Sequence, residues 1–240
     1  MKIGIIGNGF VGKATGLLKC EEVETLIYDI DPKLCNCKFE ELKFCDIIFI
    51  SVPTPMNEDG SCHIGIVKNV VNDLQKLIMD TSENPIIIIR STVPPGTCQK
   101  IVYPLFKKIF NIRKLDFNRL YLAHSYERVM PGDEYLDSII NYWRVYSGIN
   151  EESAVRCKYF LESIINTDKY PLKRLSNPTA SETAKLLENS YRAVNIAFME
   201  EWGRFAENVG IDIYEIVDAI RMRPTHSNIR QPGFGVGGYC

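Results

Sequence analysis

The feature that most constrains this fold is a glycine-rich turn placed directly after the first apolar segment. Lys2 to Ile6 is a short apolar run with strand propensity, and Gly7-Asn8-Gly9-Phe10-Val11-Gly12 follows it at once. A helix-like stretch then extends to Lys19. A strand, a G-x-G-x-x-G turn and a helix in this order are typical of a parallel α/β sheet with a dinucleotide site at its first turn.

Each glycine of this turn has its own physical reason. Gly7 permits the tight turn, Gly9 lets a pyrophosphate approach the main chain, and Gly12 lets the helix pack closely on the strand. The free N–H groups at the helix N-terminus favour phosphate. We expect the other members of the turn to line the same site: Asn8, Phe10 and Val11. The alternative is a glycine turn in an α/β domain that binds no nucleotide.

An acidic residue ends the next predicted strand, Thr25 to Asp29, 17 residues after Gly12. A carboxylate at this place accepts hydrogen bonds from the ribose 2′- and 3′-hydroxyls and repels a 2′-phosphate. Asp29 therefore predicts NAD rather than NADP as the cofactor.

Further strands and helices alternate along the chain. The predicted strands are Asp46 to Val52, Pro85 to Arg90, Arg119 to His124 and Arg144 to Ser147, and the predicted helices are Ile64 to Met79, Thr97 to Phe110 and Glu151 to Ile165. Strands that are continuously apolar suit parallel sheets covered on both faces. The pattern predicts an α/β fold, a Rossmann-like doubly wound parallel sheet, with an NAD-binding domain over residues 1–175.

One long helix dominates the remainder of the chain. It starts with Pro178 in its first turn and meets no breaker before Gly210, which makes it about 45 Å long. This is too long for one more crossover helix, so we expect the spine of a partial, all-helical second domain over residues 176–240. A shorter helix, Ile211 to Arg221, follows. The exposed face of the long helix is a candidate surface for a homodimer.

Two loops follow the third and fourth predicted strands, where the cleft of such a sheet lies. One contains Val52, Pro53 and Thr54, and the other contains Ser91 and Thr92. Their prolines fix the backbone, and their hydroxyls can bind ribose, a nicotinamide amide or a water. The alternative is that both loops are only rigid turns.

Composition excludes several other classes of function. The formal net charge is −2, which gives no overall basic character for nucleic acid or an anionic membrane. No apolar run approaches the roughly 20 residues of a membrane span. The start of the chain opens directly into a strand, so we expect no signal peptide and a cytoplasmic location. The eight cysteines lack metal-site spacing, and we expect mostly buried or idle thiols, with no metal.

Two groups of residues are candidates for chemistry. The chain ends in a glycine-rich run, Gly233 to Cys240, whose terminal thiol is a candidate nucleophile. On the long helix, spacings of three, four and three place four polar residues on one face: Glu182, Lys185, Asn189 and Arg192. Spacing alone equally allows a solvated stripe of charge.

Taken together, these motifs resemble the UDP-glucose/GDP-mannose dehydrogenase family of nucleotide-sugar 6-dehydrogenases. The matching segments appear in family order along the whole chain: Gly7 to Gly12, Asp29, Ser91 to Thr97, Glu127 to Gly132, Lys185 to Asn189 and Gly233 to Cys240. The resemblance implies oxidation of a sugar C6 alcohol to a carboxylate, with two NAD⁺ consumed and a covalent enzyme intermediate.

The resemblance also implies roles for individual residues. Cys240 resembles the nucleophile that forms a thiohemiacetal and then a thioester. Lys185 looks like the cation that stabilises oxyanion charge, with Asn189 as its neutral partner. Glu127 matches a general acid/base in thioester hydrolysis, and Thr92 matches a hydroxyl that places the hydrolytic water.

Contacts to the nucleotide sugar follow from the same resemblance. The implied substrate-binding residues are Glu127, Arg128, Lys185, Asn189, Arg230, Gly235 and Gly237. The segments Glu127 to Gly132 and Thr225 to Ile229 are closer to members that act on UDP-N-acetylhexosamines than to the UDP-glucose enzymes.

Family members continue beyond the cysteine, with a catalytic Asp four residues later and a C-terminal domain that closes over the UDP-sugar; neither is in this sequence. We therefore expect the chain alone to bind NAD but to turn over poorly or not at all, unless a C-terminal half is supplied in trans. Two alternatives stay open: a β-hydroxyacid dehydrogenase, which needs no cysteine, and a non-catalytic NAD-binding or dimerisation module.

Overall fold

The computed structural model describes residues 1–16, 23–78, 84–129 and 136–237. The chain divides into two compact units, Met1–Ala184 and Lys185–Cys240. The first unit holds the whole described sheet and the helices that cover it. The second holds most of the long helix and the segments that follow it.

The first unit alternates strands and helices, as the sequence predicts. Its strands are β1 (Lys2–Ile6), β2 (Glu24–Tyr28), β3 (Ile47–Ile50), β4 (Ile86–Ile89), β5 (Tyr121–His124), β6 (Val145–Gly148) and β7 (Lys173–Arg174). Its helices are α1 (Phe10–Gly16), α2 (Gly65–Leu74), α3 (Tyr103–Arg113), α4 (Asp137–Ile140) and α5 (Glu151–Ile164). Short 3-10 turns lie at Pro32–Leu34, Phe39–Phe44 and Phe117–Arg119.

The strands form one sheet in the order β2-β1-β3-β4-β5-β6-β7, and the first five are mutually parallel. β3 and β4 are buried along their whole length, because one layer of helices covers each face of the sheet. The chain order reverses between β1 and β3, which is the place where open α/β sheets bind ligands. The α/β fold class predicted from the sequence is confirmed.

The sixth strand departs from the prediction of a wholly parallel sheet. β6 pairs antiparallel with β5 through Ala123–Gly148 and His124–Ser147. A parallel return needs a crossover, usually a full helix, and the described part of this connection contains only the four-residue α4. The two-residue β7, absent from the sequence prediction, then pairs parallel with β6.

Helix boundaries differ from the prediction for local reasons. The helix predicted over Thr97 to Phe110 begins with a π-helical turn, Cys98–Val102, in which the N–H of Tyr103 reaches the oxygen of Cys98. Pro104 directly follows and has no N–H to donate, which disrupts regular α-helical bonding at this point. The predicted helix at Ile64 to Met79 ends earlier, at Leu74.

The long helix α6 spans Pro178–Val209, as predicted. Gly210 ends it with φ of 75°, and the N–H of Ile211 bonds to the oxygen of Ala206 at 3.0 Å, a left-handed glycine cap. The Asp212 side chain caps the next helix, α7 (Ile213–Arg221). Within the described residues, no helix is long and apolar enough to cross a membrane.

Candidate active site

The glycine turn after β1 has the geometry of a phosphate cradle. Gly7 has φ of 94°, and a β-carbon there would lie 2.6 Å from the main-chain oxygen of Ser51. A β-carbon on Gly12 would overlap the main-chain oxygen of Gly7. Gly9, by contrast, has no described atom within 4 Å of its β-carbon position, so its surface is open to a ligand. The residues between these glycines are partly exposed: Asn8, Phe10 and Val11.

Asp29 lies beside this turn, at the tip of β2. Its Oδ2 accepts the N–H of Asn8 at 2.6 Å, and its Oδ1 accepts the N–H of Asp31 at 3.0 Å. The carboxylate is half-buried and held from both sides, where a ribose bound to the glycine turn would meet it. Ile30, which sequence reasoning did not select, directly follows Asp29 and is 96% exposed.

The two strand-end loops are joined to each other. Ser91 donates from its hydroxyl to the oxygen of Val52 at 2.6 Å, and Thr54 donates to the oxygen of Thr92 at 2.6 Å. Thr54 and Thr92 are half-buried, and Pro53 is exposed. The loops after β3 and β4 therefore form one wall of the cleft, with main-chain and side-chain groups interlocked.

Glu127 lies beyond the end of β5 at the same edge of the sheet. Its carboxylate is fully buried and forms ion pairs with Arg90, just after β4, and Arg144, just before β6. The N–H of Arg128 also donates to it, at 2.9 Å. The guanidinium of Arg90 stacks over the ring of Phe49, 4.7 Å from its centroid. Sequence reasoning selected Glu127 but missed both arginines, which lie 37 and 17 residues away in the chain.

The guanidinium of Arg128 has partners other than Glu127. Its guanidinium donates to the oxygen of Trp143 at 2.9 Å and to the hydroxyl of Tyr126 at 3.1 Å. Its predicted role in substrate binding stays a prediction.

Glu182 does not belong to a solvated stripe of charge. It is buried, and its carboxylate accepts the N–H of Gly96 at 2.5 Å and the N–H of Cys98 at 2.8 Å. It therefore caps the helical segment that starts at Cys98 and fixes the loop that carries Thr92. Burial raises the pKa of this carboxyl, and the hydrogen bonds from the main chain oppose that rise.

A buried polar network lies under the start of α6. His124 contacts the hydroxyl of Ser181 through Nδ1 at 2.7 Å, and that hydroxyl also contacts Ser147 at 2.7 Å. Burial lowers the pKa of His124 to about 3, so this imidazole is neutral at physiological pH. Because all three groups are fully buried, the network joins β5, β6 and α6 rather than offering a nucleophile.

The remaining predicted residues lie in the second unit. Lys185 is half-buried on α6, and Asn189, one turn later, is exposed. Arg230 helps to line a surface pocket of about 170 Å³ with these other side chains: Glu188, Tyr191, Arg192, Asn195 and Asn228.

The described start of the glycine-rich loop is tied to α6. Pro232 packs 3.0 Å from the β-carbon position of Gly203, and the N–H of Gly233 donates to Glu200 at 2.7 Å. Gly235 and Gly237 are exposed, and Gly235 has φ of 82°. Cys240, the predicted nucleophile, lies outside the described residues, as do Met130 to Gly132 of the Glu127 segment.

Comparison with known proteins decides the family. Residues 33–164 match the NAD-binding domain of the UDP-glucose/GDP-mannose dehydrogenase family, and residues 179–240 match its central domain. This chain belongs to the UDP-glucose/GDP-mannose dehydrogenase family. The glycine turn and Asp29 precede the first matched range, so their assignment depends on the geometry described above.

Individual members of the UDP-glucose/GDP-mannose dehydrogenase family resemble the whole chain. The UDP-N-acetyl-D-mannosamine dehydrogenases of Methanococcus vannielii and Methanocaldococcus jannaschii are 35% and 30% identical over 100% of this chain and 59% of their own length. The solved UDP-D-ManNAc dehydrogenase of Pyrococcus horikoshii is 26% identical, with a TM-score of 0.86, over 100% of this chain and 62% of that one. The chain thus spans about three-fifths of the length of its curated relatives.

Proposed function

We propose that this chain carries the NAD site and part of the substrate site of a nucleotide-sugar 6-dehydrogenase. One observation carries the proposal: in a member of this family, the open glycine turn after β1 and the Asp29 carboxylate after β2 lie side by side, next to the point between β1 and β3 where the strand order reverses. This arrangement fits the pyrophosphate and the adenosine ribose of NAD.

The cofactor end of the site is built by main-chain groups and one carboxylate. Gly9 leaves space for the pyrophosphate, and the first turn of α1 directs N–H groups toward it. Asp29 accepts hydrogen bonds from the ribose hydroxyls and disfavours a 2′-phosphate. The interlocked wall that contains Thr54 and Ser91 bounds the cleft farther along the sheet edge.

Oxidation of a primary alcohol to a carboxylate removes four electrons, and two NAD⁺ accept them as two hydrides. In our proposal the thiolate of Cys240 adds to the C6 aldehyde, and water later releases the thioester as the carboxylate. Lys185 and Asn189 stabilise the oxyanion, and Thr92 places the water. Glu127 could serve as general base only if one of its oxygens turned away from the arginines that hold it.

The substrate class we favour is a UDP-N-acetylhexosamine. The segment Glu127 to Gly132 and the segment Thr225 to Ile229 support it, as do the names of the relatives described above, which are UDP-N-acetyl-D-mannosamine dehydrogenases. A cytoplasmic location is part of the same proposal and remains a prediction.

The partner we propose is a second copy of this chain, bound through α6. Seven large apolar side chains on this helix are 47–68% exposed: Leu187, Tyr191, Val194, Phe198, Trp202, Phe205 and Val209. Their spacings of four and three residues place them within a stripe about 80° wide. A stripe of this length with three large aromatic side chains in its second half is suited to pairing with its own copy.

Calorimetric titration of the purified chain tests the cofactor assignment. We expect NAD to bind and NADP to bind at least about tenfold more weakly, because Asp29 repels the extra phosphate. Equal or tighter binding of NADP would overturn the assignment, and no binding of either would overturn the proposed site.

Turnover is tested by NADH absorbance with UDP-ManNAc, UDP-GlcNAc and UDP-glucose. We expect NADH formation to favour the N-acetyl sugars over UDP-glucose and to disappear in Cys240→Ala. Activity that survives Cys240→Ala would contradict the covalent mechanism, and turnover of UDP-glucose alone would contradict the N-acetyl preference.

A further inference from the structure

The outer side of β2 is paired with the segment Cys35 to Cys37 rather than with another strand. β2 is at one end of the described sheet order, where main-chain N–H and C=O groups need other partners. Asn36 supplies three of them: its Oδ1 accepts the N–H of Ile27 at 2.6 Å, its Nδ2 donates to the oxygen of Thr25 at 3.0 Å, and its main-chain N–H donates to the oxygen of Ile27 at 3.0 Å. The segment around Asn36 therefore runs alongside β2 as a substitute strand.

Cys35, which directly precedes Asn36, extends this pairing along β2 to Asp29. Its sulfur accepts the N–H of Asp29 at 3.1 Å, and its thiol donates to the oxygen of Asp29 at 3.1 Å. Both main-chain groups of Asp29 thus meet one half-buried sulfur atom. The thiol also lies 3.6 Å from the oxygen of Asp31.

Together with the glycine turn, these contacts form a closed ring of hydrogen bonds. The carboxylate of Asp29 accepts the N–H of Asn8, and the amide of Asn8 donates to the oxygen of Leu34 at 2.9 Å. Leu34 directly precedes Cys35, whose thiol returns to Asp29. The direction of the Asp29 carboxylate is therefore set from its side chain by the glycine turn and from its main chain by the thiol.

We propose that Cys35 is a positioning residue for the cofactor, which holds Asp29 in the orientation that binds the ribose and rejects a 2′-phosphate. The inference rests on the proposed NAD site and adds a residue outside the glycine motif to it. Alanine at position 35 removes the sulfur that pairs with the N–H and C=O of Asp29. The main chain at the end of β2 is then free to rotate. Serine keeps a group that both donates and accepts.

The test compares four proteins by calorimetric titration with NAD and NADP: the wild type, Cys35→Ala, Cys35→Ser and Cys37→Ala. Cys37 is the matched control, because it lies in the same segment as Cys35 and its thiol donates to the oxygen of Ile27, at 3.4 Å, instead of to Asp29. We expect Cys35→Ala to weaken NAD binding about 3- to 10-fold, as for the loss of one or two hydrogen bonds, and to bring the NADP and NAD affinities closer together. Cys35→Ser and Cys37→Ala should stay within about twofold of the wild type.

A double-mutant cycle with Asp29→Asn separates positioning from general stability. If Cys35 acts through Asp29, Cys35→Ala should have little further effect on NAD binding in the Asp29→Asn background. An equal loss in both backgrounds would overturn the inference, as would a lowered melting temperature with unchanged NAD affinity. Failure of the wild type to bind NAD would instead refute the proposed function.

Discussion

The main-chain oxygen of Gly7 occupies the place that a side chain on Gly12 would need. A β-carbon on Gly12 overlaps that oxygen, whereas a β-carbon on Gly9 meets no described atom within 4 Å. Two glycines of one motif are therefore required for different reasons. Gly12 is required for packing of the turn on itself, and Gly9 leaves space for a ligand.

Alanine at these two positions should separate folding from binding. We expect Gly12→Ala to lower the free energy of unfolding by about 2 kcal/mol or more, because main-chain atoms must move. Gly9→Ala should change it by less than about 1 kcal/mol but weaken NAD binding at least about tenfold, since in the proposed site the methyl group would face the pyrophosphate. Urea unfolding and NAD titration measure the two effects. Normal NAD affinity in Gly9→Ala would contradict the proposed cradle.

Removal of the buried carboxylate at Glu127 should strongly destabilise the protein. Glu127→Ala leaves the guanidinium groups of Arg90 and Arg144 buried without their anion, which costs about 3–5 kcal/mol in comparable sites. Glu152→Ala is the control, because Glu152 pairs with Arg156 at 2.8 Å on the surface and should contribute less than about 1 kcal/mol. Similar urea midpoints for the two variants would show that the buried cluster adds little to stability.

His124 should make the protein sensitive to acid. Burial lowers its folded-state pKa to about 3, below its ordinary value of 6.5, so the unfolded chain binds the proton more readily between these values. Stability is then fully present above pH 6.5 and falls by up to about 1.4 kcal/mol for each pH unit below it.

The variant His124→Asn keeps a polar partner for Ser181 without the titration. The difference in unfolding free energy between wild type and variant should therefore fall as the pH is lowered from 7 to 4, following the same slope. Glu182, whose pKa is raised, acts in the opposite direction in both proteins and cancels in this difference. A difference that does not change with pH would contradict the buried neutral imidazole.

A charge in the second half of the apolar stripe on α6 should weaken self-association. We expect Trp202→Glu to raise the dimer dissociation constant at least about tenfold in sedimentation equilibrium. Arg204→Glu is the control, because residue 204 lies outside the stripe, about 120° around the helix from its centre, and its side chain is 70% exposed. A monomeric wild type, or equal effects of both variants, would refute the proposed dimer surface.

Local patterns predicted much of this structure. The apolar runs marked the buried strands, and Pro178 and Gly210 marked the ends of α6, because these signals act within a few residues of chain. The glycine turn and Asp29 were found together because adjacent parallel strands place their carboxyl ends at one edge. Their roles in binding stay predictions until a ligand is measured.

What the sequence did not predict depends on distant contacts. The antiparallel direction of β6 follows from the path of its connection, which no residue of the strand itself encodes. Glu182 has the spacing of a solvated charge and is instead buried against a loop 84 residues earlier. Cys35 looked like an idle thiol, since its partner, the main chain of Asp29, becomes visible only once the chain is folded.

The hydrogen bonds that join Ser91 to Val52 and Thr54 to Thr92 have a consequence for affinity. Loops that are free in the empty state lose conformational entropy when a ligand orders them, and that loss weakens binding. In this protein, much of the ordering of these two loops takes place when the sheet folds, before a ligand binds. A nicotinamide ring entering this cleft would thus meet a wall already set in shape, and more of its contact energy would appear as affinity.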